Sequence, residues 1–177
     1  MHTLIDTIIG YGTVILQFFA GITLLLIIFK NYVPTPLPEF IREKGICLGF
    51  VVALLAVVGS LYYSEIRLLP PCTFCWWQRI FLYPQVIVFG VAWYTKQYQS
   101  ARITSLILSS VGVVIAIIHV LAQMGIRSTG LPCAVNGVSC TSIDLILLGY
   151  ITIPIMSLTL YITMIIIQGY GIINKKQ

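Results

Sequence analysis

Charged side chains interrupt this chain so rarely that its elements can be read from the gaps between them. Ile8 to Phe29, Gly45 to Ser64, Ile103 to Ile126 and Leu145 to Asn174 contain no Asp, Glu, Lys or Arg, and Cys75 to Thr95 contains only Arg79. A helix crosses the hydrocarbon core with about 20 apolar residues. The pattern therefore predicts five transmembrane helices and an all-α polytopic membrane protein, with loops so short that sequential helices should be neighbours. Pro84 and Pro154 fall inside the third and fifth stretches and predict kinks, which leave space for a flat ligand. No Lys or Arg precedes the first apolar run, and no convincing cleavage site comes after it, so it reads as an anchor or packing helix rather than a cleaved leader. Gly10, Gly12 and Gly21 permit close helix contact there.

Composition narrows the class. Apolar and aromatic residues make up 59% of the 177 residues and charged ones 8%, against roughly 25% charged in soluble domains. An ordinary cytosolic enzyme, a nucleic-acid-binding domain and a disordered chain are excluded. The net charge of +5 reads as membrane topology. Lys30, Arg42, Lys44, Lys96, Arg102, Lys175 and Lys176 would share one side, and Arg67 and Arg127 the other. The richer side belongs in the cytoplasm. This predicts an outside N-terminus, a cytoplasmic C-terminus, and outward loops at about 65–74 and 127–144.

Four of the five cysteines fall in those outward loops. Cys72 and Cys75 lie in the first, Cys133 and Cys140 in the second, and Cys47 lies inside the second span. An extracytoplasmic surface permits disulfides. Cys72-Thr73-Phe74-Cys75 has the CxxC spacing of redox-active dithiols. Pro70 and Pro71 precede it and an apolar helix comes after, so Cys75 should occupy the first turn or its edge, where free N–H groups favour a thiolate. Zinc binding by four thiolates and two purely structural disulfides are the rival readings. A redox relay between the pairs is favoured over both, with no metal. Asn136-Gly137 signals a turn between Cys133 and Cys140, a loop able to present a disulfide to a soluble partner. Cys47 reads as a buried small hydrophobe.

Polar residues inside apolar runs sharpen the chemistry. Arg79 stands four positions after Cys75, on the same helix face. A charge there either snorkels to the headgroups or is functional, stabilising a thiolate and the negative charge developing on a reduced acceptor. His119, with Gln123 one turn further out, is either a packing residue or one that hydrogen-bonds a quinone carbonyl or relays a proton. Gln78, Trp76, Trp77 and Tyr83 would line the same region, although an interfacial belt explains the tryptophans equally well. Two cysteine pairs can pass electrons by thiol–disulfide exchange. A relay ending beside a buried Arg needs an acceptor that lives in the lipid, and quinone is the natural two-electron carrier. No flavin or nicotinamide fingerprint is visible.

At CTFCWWQRIFLYP the chain resembles the DsbB family of disulfide bond formation proteins, most closely its short-loop BdbC-type branch. The resemblance covers about residues 46–168. It implies a four-helix transmembrane bundle that reoxidises a DsbA-like thioredoxin-fold oxidase outside the cytoplasmic membrane, passing electrons to ubiquinone or menaquinone for protein disulfide formation. It implies that Cys133 forms the mixed disulfide with the partner and Cys140 resolves it. Cys72 would exchange with the loop pair, Cys75 would face quinone as a thiolate, and Arg79 and His119 would bind the quinone. On this reading residues 1–35 hold one extra N-terminal transmembrane helix, 46–168 the catalytic bundle and 169–177 a cytoplasmic tail. The chain departs from the family in that extra helix and in the short Cys133–Cys140 spacing, which implies the loss of an amphipathic surface helix. The vitamin K epoxide reductase family resembles it less well, because there the loop pair precedes the CxxC. A membrane subunit stapled by two disulfides and a relay running in the reductive direction remain the alternatives.

Overall fold

The computed structural model of the chain describes residues 2–29, 36–126, 134–135, 138–141, 143 and 145–173. They form five α-helices: α1 (His2–Ile28), α2 (Pro36–Leu61), α3 (Thr73–Thr95), α4 (Tyr98–Gln123) and α5 (Ile153–Ile173). A π-helical turn, Tyr62–Ile66, prolongs α2. A small antiparallel ribbon, β1 (Ala134–Val135) and β2 (Val138–Ser139), lies between α4 and α5 in sequence.

Four helices are long and apolar enough to cross a membrane: Leu4–Ile28, Lys44–Ile66, Tyr98–Gln123 and Ile153–Ile173. The chain is a multi-pass membrane protein. The N-terminal helix is one of these four, and α3 is not among them. This corrects the expected four-helix transmembrane bundle plus one extra N-terminal span. The reason lies in composition. At 23 residues and 1.5 Å per residue, α3 is about 34 Å long, which suffices. Gln78, Arg79, Pro84, Gln85 and several Trp and Tyr residues dilute its apolar character. An outside N-terminus with a cytoplasmic C-terminus needs an odd number of crossings, and that orientation rests on counting five.

In the packing, α2 lies against α3 and α5, α3 against α4, and α4 against α5, while α1 lies against α5 and α2. Ile46, Ala53, Leu82, Phe89, Leu160, Tyr161 and Met164 fill the middle. With lipid on the outside, apolar burial alone does not discriminate between partners. Small residues and interhelical hydrogen bonds then do much of the specifying. Gln85 is fully buried. Its Oε1 accepts from Ser105 Oγ at 2.8 Å and Ser109 Oγ at 3.4 Å, and its Nε2 donates to Phe81 O at 3.0 Å. Gln168 Nε2 donates to Gly45 O at 2.9 Å, joining α5 to α2. At Gly112 a Cβ would run into the Tyr161 ring. The glycine thus lets Tyr161 cross beneath α4 and donate its hydroxyl to Gln78 O at 2.6 Å.

The last helix begins eight residues later than the apolar run. Residues 145–152 instead make a turn with a Leu147–Ile151 bridge, Leu148 at φ 50° and Gly149 at φ 82°. Pro154 is the second residue of α5 rather than an interior one. There its missing N–H costs no helical bond, so it is no kink. Pro84 does lie within α3, which continues to Thr95 and ends on Lys96 in the left-handed region, φ 59°.

Candidate active site

The chain approaches the CxxC through a constrained link. After the π-turn, Leu68 reverses direction at φ 53°, and Leu69 N donates to Tyr63 O at 3.0 Å. Pro70 and Pro71 hold the link non-helical up to Cys72. Cys72 then takes an extended conformation as the N-cap of α3, and its Sγ accepts from Cys75 N–H at 3.4 Å. Thiolate sulfur thus takes the place usually filled by a Ser or Asp oxygen. Cys75 sits in the first turn.

Both are free thiols, 3.0 Å apart at sulfur. On the other side of Cys72 Sγ lies His119 Nε2 at 3.6 Å, and Gln78 Nε2 lies 3.4 Å from His119 Nδ1. An amide nitrogen only donates, so Nδ1 accepts and the Nε2–H is left to face the sulfur. Phe74 packs on the imidazole at 5.5 Å between ring centroids. Cys72, Gln78 and His119 are all at least 95% buried. The hydrogen bond from the Cys75 thiol pulls the Cys72 pKa well below the usual thiol range. Burial opposes this, and His119 and the Cys75 N–H reinforce it. Cys75 is pushed up, first by donating to Cys72 and then by burial; the Arg79 charge acts the other way and is outweighed. The proton of the pair therefore stays with Cys75 and the negative charge with Cys72, the reverse of the thiolate expected at Cys75. The two sulfurs and the His119 ring nitrogen lie within 4.8 Å of one another, a donor set that could also hold a metal ion.

Below this group opens a cavity of about 860 Å³, lined by residues from all five helices, among them Cys72, Cys75, Gln78, Arg79 and His119. The volume falls within the range of small-molecule sites. Arg79 is half-buried. Its guanidinium donates to Ser60 O at 3.1 Å and lies 5.4 Å from the centre of the Trp76 ring. Gln123 reaches the same cavity from α4. Tyr83 O–H donates to Ser60 Oγ at 3.5 Å. Trp77 is exposed.

Cys140 is disulfide-bonded and buried, and it packs in one cluster with Cys72 and Phe74. The second cysteine loop is thereby placed against the CxxC. Cys133 lies outside the described residues. Cys47 is a free, half-buried thiol in α2.

Three features are not singled out by the sequence. Tyr161 and Gly112 brace the start of α3. The Gln85 clamp joins α3 to α4. Asp6 of α1 forms an ion pair with Arg67, Oδ2 to Nη2 at 3.3 Å. The last has a visible signal: Asp6 is the lone acid of an otherwise apolar helix.

Relatives are consistent with this geometry. The model of the family "Disulfide bond formation protein DsbB" matches residues 42–171. Disulfide bond formation protein C of Bacillus subtilis is 39% identical over 118 residues, covering 67% of this chain and 85% of its own. A probable disulfide formation protein C of Halalkalibacterium halodurans is 35% identical over 136 residues, 76% of this chain and 98% of its own. The prophage-derived disulfide bond formation protein B of Bacillus subtilis is 38% identical over 110 residues, 62% and 73% of the two chains. No solved structure matches. On the family match and these identities, the chain belongs to the DsbB family of disulfide bond formation proteins.

Proposed function

We propose that the chain is a thiol:quinone oxidoreductase of the short-loop branch, reoxidising an extracytoplasmic DsbA-like thioredoxin-fold dithiol. The observation that carries this reading is the juxtaposition of Cys72, Cys75, His119 and disulfide-bonded Cys140 at the head of the Arg79-lined cavity. On this reading the cysteine-bearing end faces the oxidising side of the cytoplasmic membrane, residues 46–168 carry the catalysis, residues 1–35 add α1, and 169–177 form the tail.

The partner's thiolate attacks Cys133 of a Cys133–Cys140 disulfide, giving a mixed disulfide and a Cys140 thiol. The partner's second thiol, rather than Cys140, resolves it, because attack by Cys140 would only return the starting disulfide; the partner leaves oxidised and the loop pair is a dithiol. That dithiol then reduces the Cys72–Cys75 disulfide by the same exchange. Cys72 takes the loop side of this step because it packs with Cys140. Cys75 takes the cavity side, with Arg79 on the next turn. The cavity fits a quinone: it is mostly apolar, with Arg79, Gln78 and His119 among its polar lining. A bound quinone supplies a two-electron, two-proton acceptor that restores the CxxC disulfide. The chain's own contribution is to store negative charge on Cys72, keep the proton on Cys75, and hold a guanidinium where charge develops. Gln78 fixes the tautomer and orientation of His119.

The test uses purified protein, a quinone and a reduced thioredoxin-fold protein, with quinone absorbance followed over time. Reduction is expected in the wild type and at background in Cys75→Ser. Wild-type turnover in that variant overturns the reading. So does a CxxC that resists mild reductant, as a structural staple would.

A further inference from the structure

The cavity has a wall that the family match does not contain. The match begins at residue 42, whereas Ile5, Ile9, Gly12, Thr13 and Leu16 of α1 line the cavity. These positions fall on one helical stripe. The opposite stripe, with Ile15 and Phe18, is exposed. Relatives covered over 96–98% of their own length leave no room in the remainder for a helix of 27 residues.

We propose that α1 is a specificity wall, shaping the apolar end of the cavity for the hydrocarbon substituent of the quinone. The proposal rests on the quinone reading above. Two clamps hold the helix in place. Near its start, Asp6 pairs with Arg67 at 3.3 Å, in the link that leads to Cys72. Asp6 is 6% exposed, and a carboxylate so buried is held there by its partner. Eleven residues on, Gln17 Nε2 donates to Thr159 Oγ1 at 3.1 Å and Gln17 Oε1 accepts from Tyr150 O–H at 2.7 Å. The lining stripe runs along the helix around and between these clamps. At its middle, Gly12 is exposed at the edge of the cavity it lines, and a Cβ there would meet nothing within 4 Å. The polar groups Gln78, Arg79, His119 and Gln123 come from α3 and α4. The ring of a quinone carries the carbonyls and belongs with those groups. Apart from Thr13, whose hydroxyl donates back to Ile9 O at 2.9 Å, the α1 stripe is aliphatic and offers dispersion and burial, which suit a hydrocarbon tail.

Gly12→Phe places a ring into that space from the α1 side without touching the cysteines. Binding is read by quenching of tryptophan fluorescence in the full-length, disulfide-oxidised protein, titrated with a tailed quinone and with its tail-less analogue. For Gly12→Phe the Kd of the tailed quinone should rise about tenfold, ~1.4 kcal/mol, with the tail-less analogue changed less than about twofold. In turnover the same variant should raise KM and leave kcat near wild type, the mark of lost ground-state binding. Ile15→Phe, on the exposed stripe, should leave both Kd values unchanged. Asp6→Asn serves as a second variant, and the tailed quinone should again be the ligand that weakens. If wild type binds the tailed quinone and neither variant shifts its Kd, the wall is refuted and the oxidoreductase reading stands. If wild type binds no quinone, both fall.

Discussion

Gln78 and Gln85 are seven residues apart on α3, two turns along one face, and both are buried against α4. They are the same residue in nearly the same setting, yet their hydrogen bonds differ. Gln85 spends both ends of its amide on short, complementary partners, Ser105 at 2.8 Å and Phe81 O at 3.0 Å. Gln78 makes one long bond, 3.4 Å, to His119, which in turn stands 3.6 Å from Cys72. A satisfied buried network rigidifies. A loosely satisfied one ending on sulfur leaves a thiolate whose charge can be moved. The two glutamines thus separate a structural clamp from the candidate site on a single helix. On α4 the stripe Ser105, Ser109, Gly112, Ala116 and His119 runs from one to the other.

Gly112 sits between the two regions and is where both break together. In Gly112→Ala the new methyl meets the Tyr161 ring, which has no room to retreat because Tyr161 is fully buried. Overpacking of this kind costs about 1–3 kcal/mol. The expected result is the largest loss of thermal stability among these variants, read by the melting temperature in detergent, together with slower turnover in the assay of the proposed function because the Gln78 carbonyl loses its brace.

The site breaks alone in His119→Leu. The Cys72 thiolate, held well below the usual thiol range, then loses one of its hydrogen bonds. Alkylation of the reduced protein by iodoacetamide, tracked against pH, should show its midpoint move upward. Gln78→Leu should move it the same way by less, since the imidazole remains. Stability changes in step. The Cys72 pKa lies below its ordinary value and that of Cys75 above it, so the Cys72 thiolate stabilises the reduced fold as pH rises toward the ordinary thiol range, and the retained Cys75 proton works against the fold beyond it. The Cys72 contribution is lost as pH falls. In His119→Leu it should vanish at a higher pH. An unmoved midpoint would remove His119 from the site.

The parts of the molecule legible in the sequence are those whose signals depend on residues close together in it. Apolar runs and the CxxC are of this kind, so α1, α2, α4 and the place of Cys75 in the first turn are readable. Membrane crossing by α3 is suggested by a run with one charge in it, but Gln78, Pro84 and Gln85 add a polar burden that a count of charges does not register. The start of α5 is obscured because Leu145 to Ile151 is as apolar as a span. Only the left-handed Leu148 and Gly149 set it apart, and a leucine gives no warning of that. The partners of the CxxC pair are half visible: Arg79 beside Cys75 by its spacing, His119 beside Cys72 as an intramembrane oddity. The Tyr161–Gln78 brace joins residues 83 positions apart and leaves no local trace.

The clamp breaks alone in Gln85→Leu. Ser105 and Ser109 lose their shared acceptor, and each hydroxyl can fall back on a carbonyl of its own helix. Interhelical hydrogen bonds in membranes are worth about 0.6 kcal/mol on average and up to about 1.7. A melting temperature lowered by a few degrees is expected, with the alkylation midpoint of Cys72 where it was. A shifted midpoint would mean that the clamp sets the site and that the two glutamines are not separable.

Tyr161→Phe is the smallest change and the finest probe of that separation. It keeps the ring against Gly112 and removes only the O–H donated to Gln78 O at 2.6 Å. One neutral hydrogen bond contributes about 1 kcal/mol, and the carbonyl keeps its place in the helix. The hydroxyl holds the backbone of Gln78, whereas His119 is oriented by the Gln78 side chain. Stability should therefore fall by about 1 kcal/mol with no change in the alkylation profile. If the profile moves as it does in Gln78→Leu, the brace and the amide act as one unit, and the site extends through Tyr161 into α5.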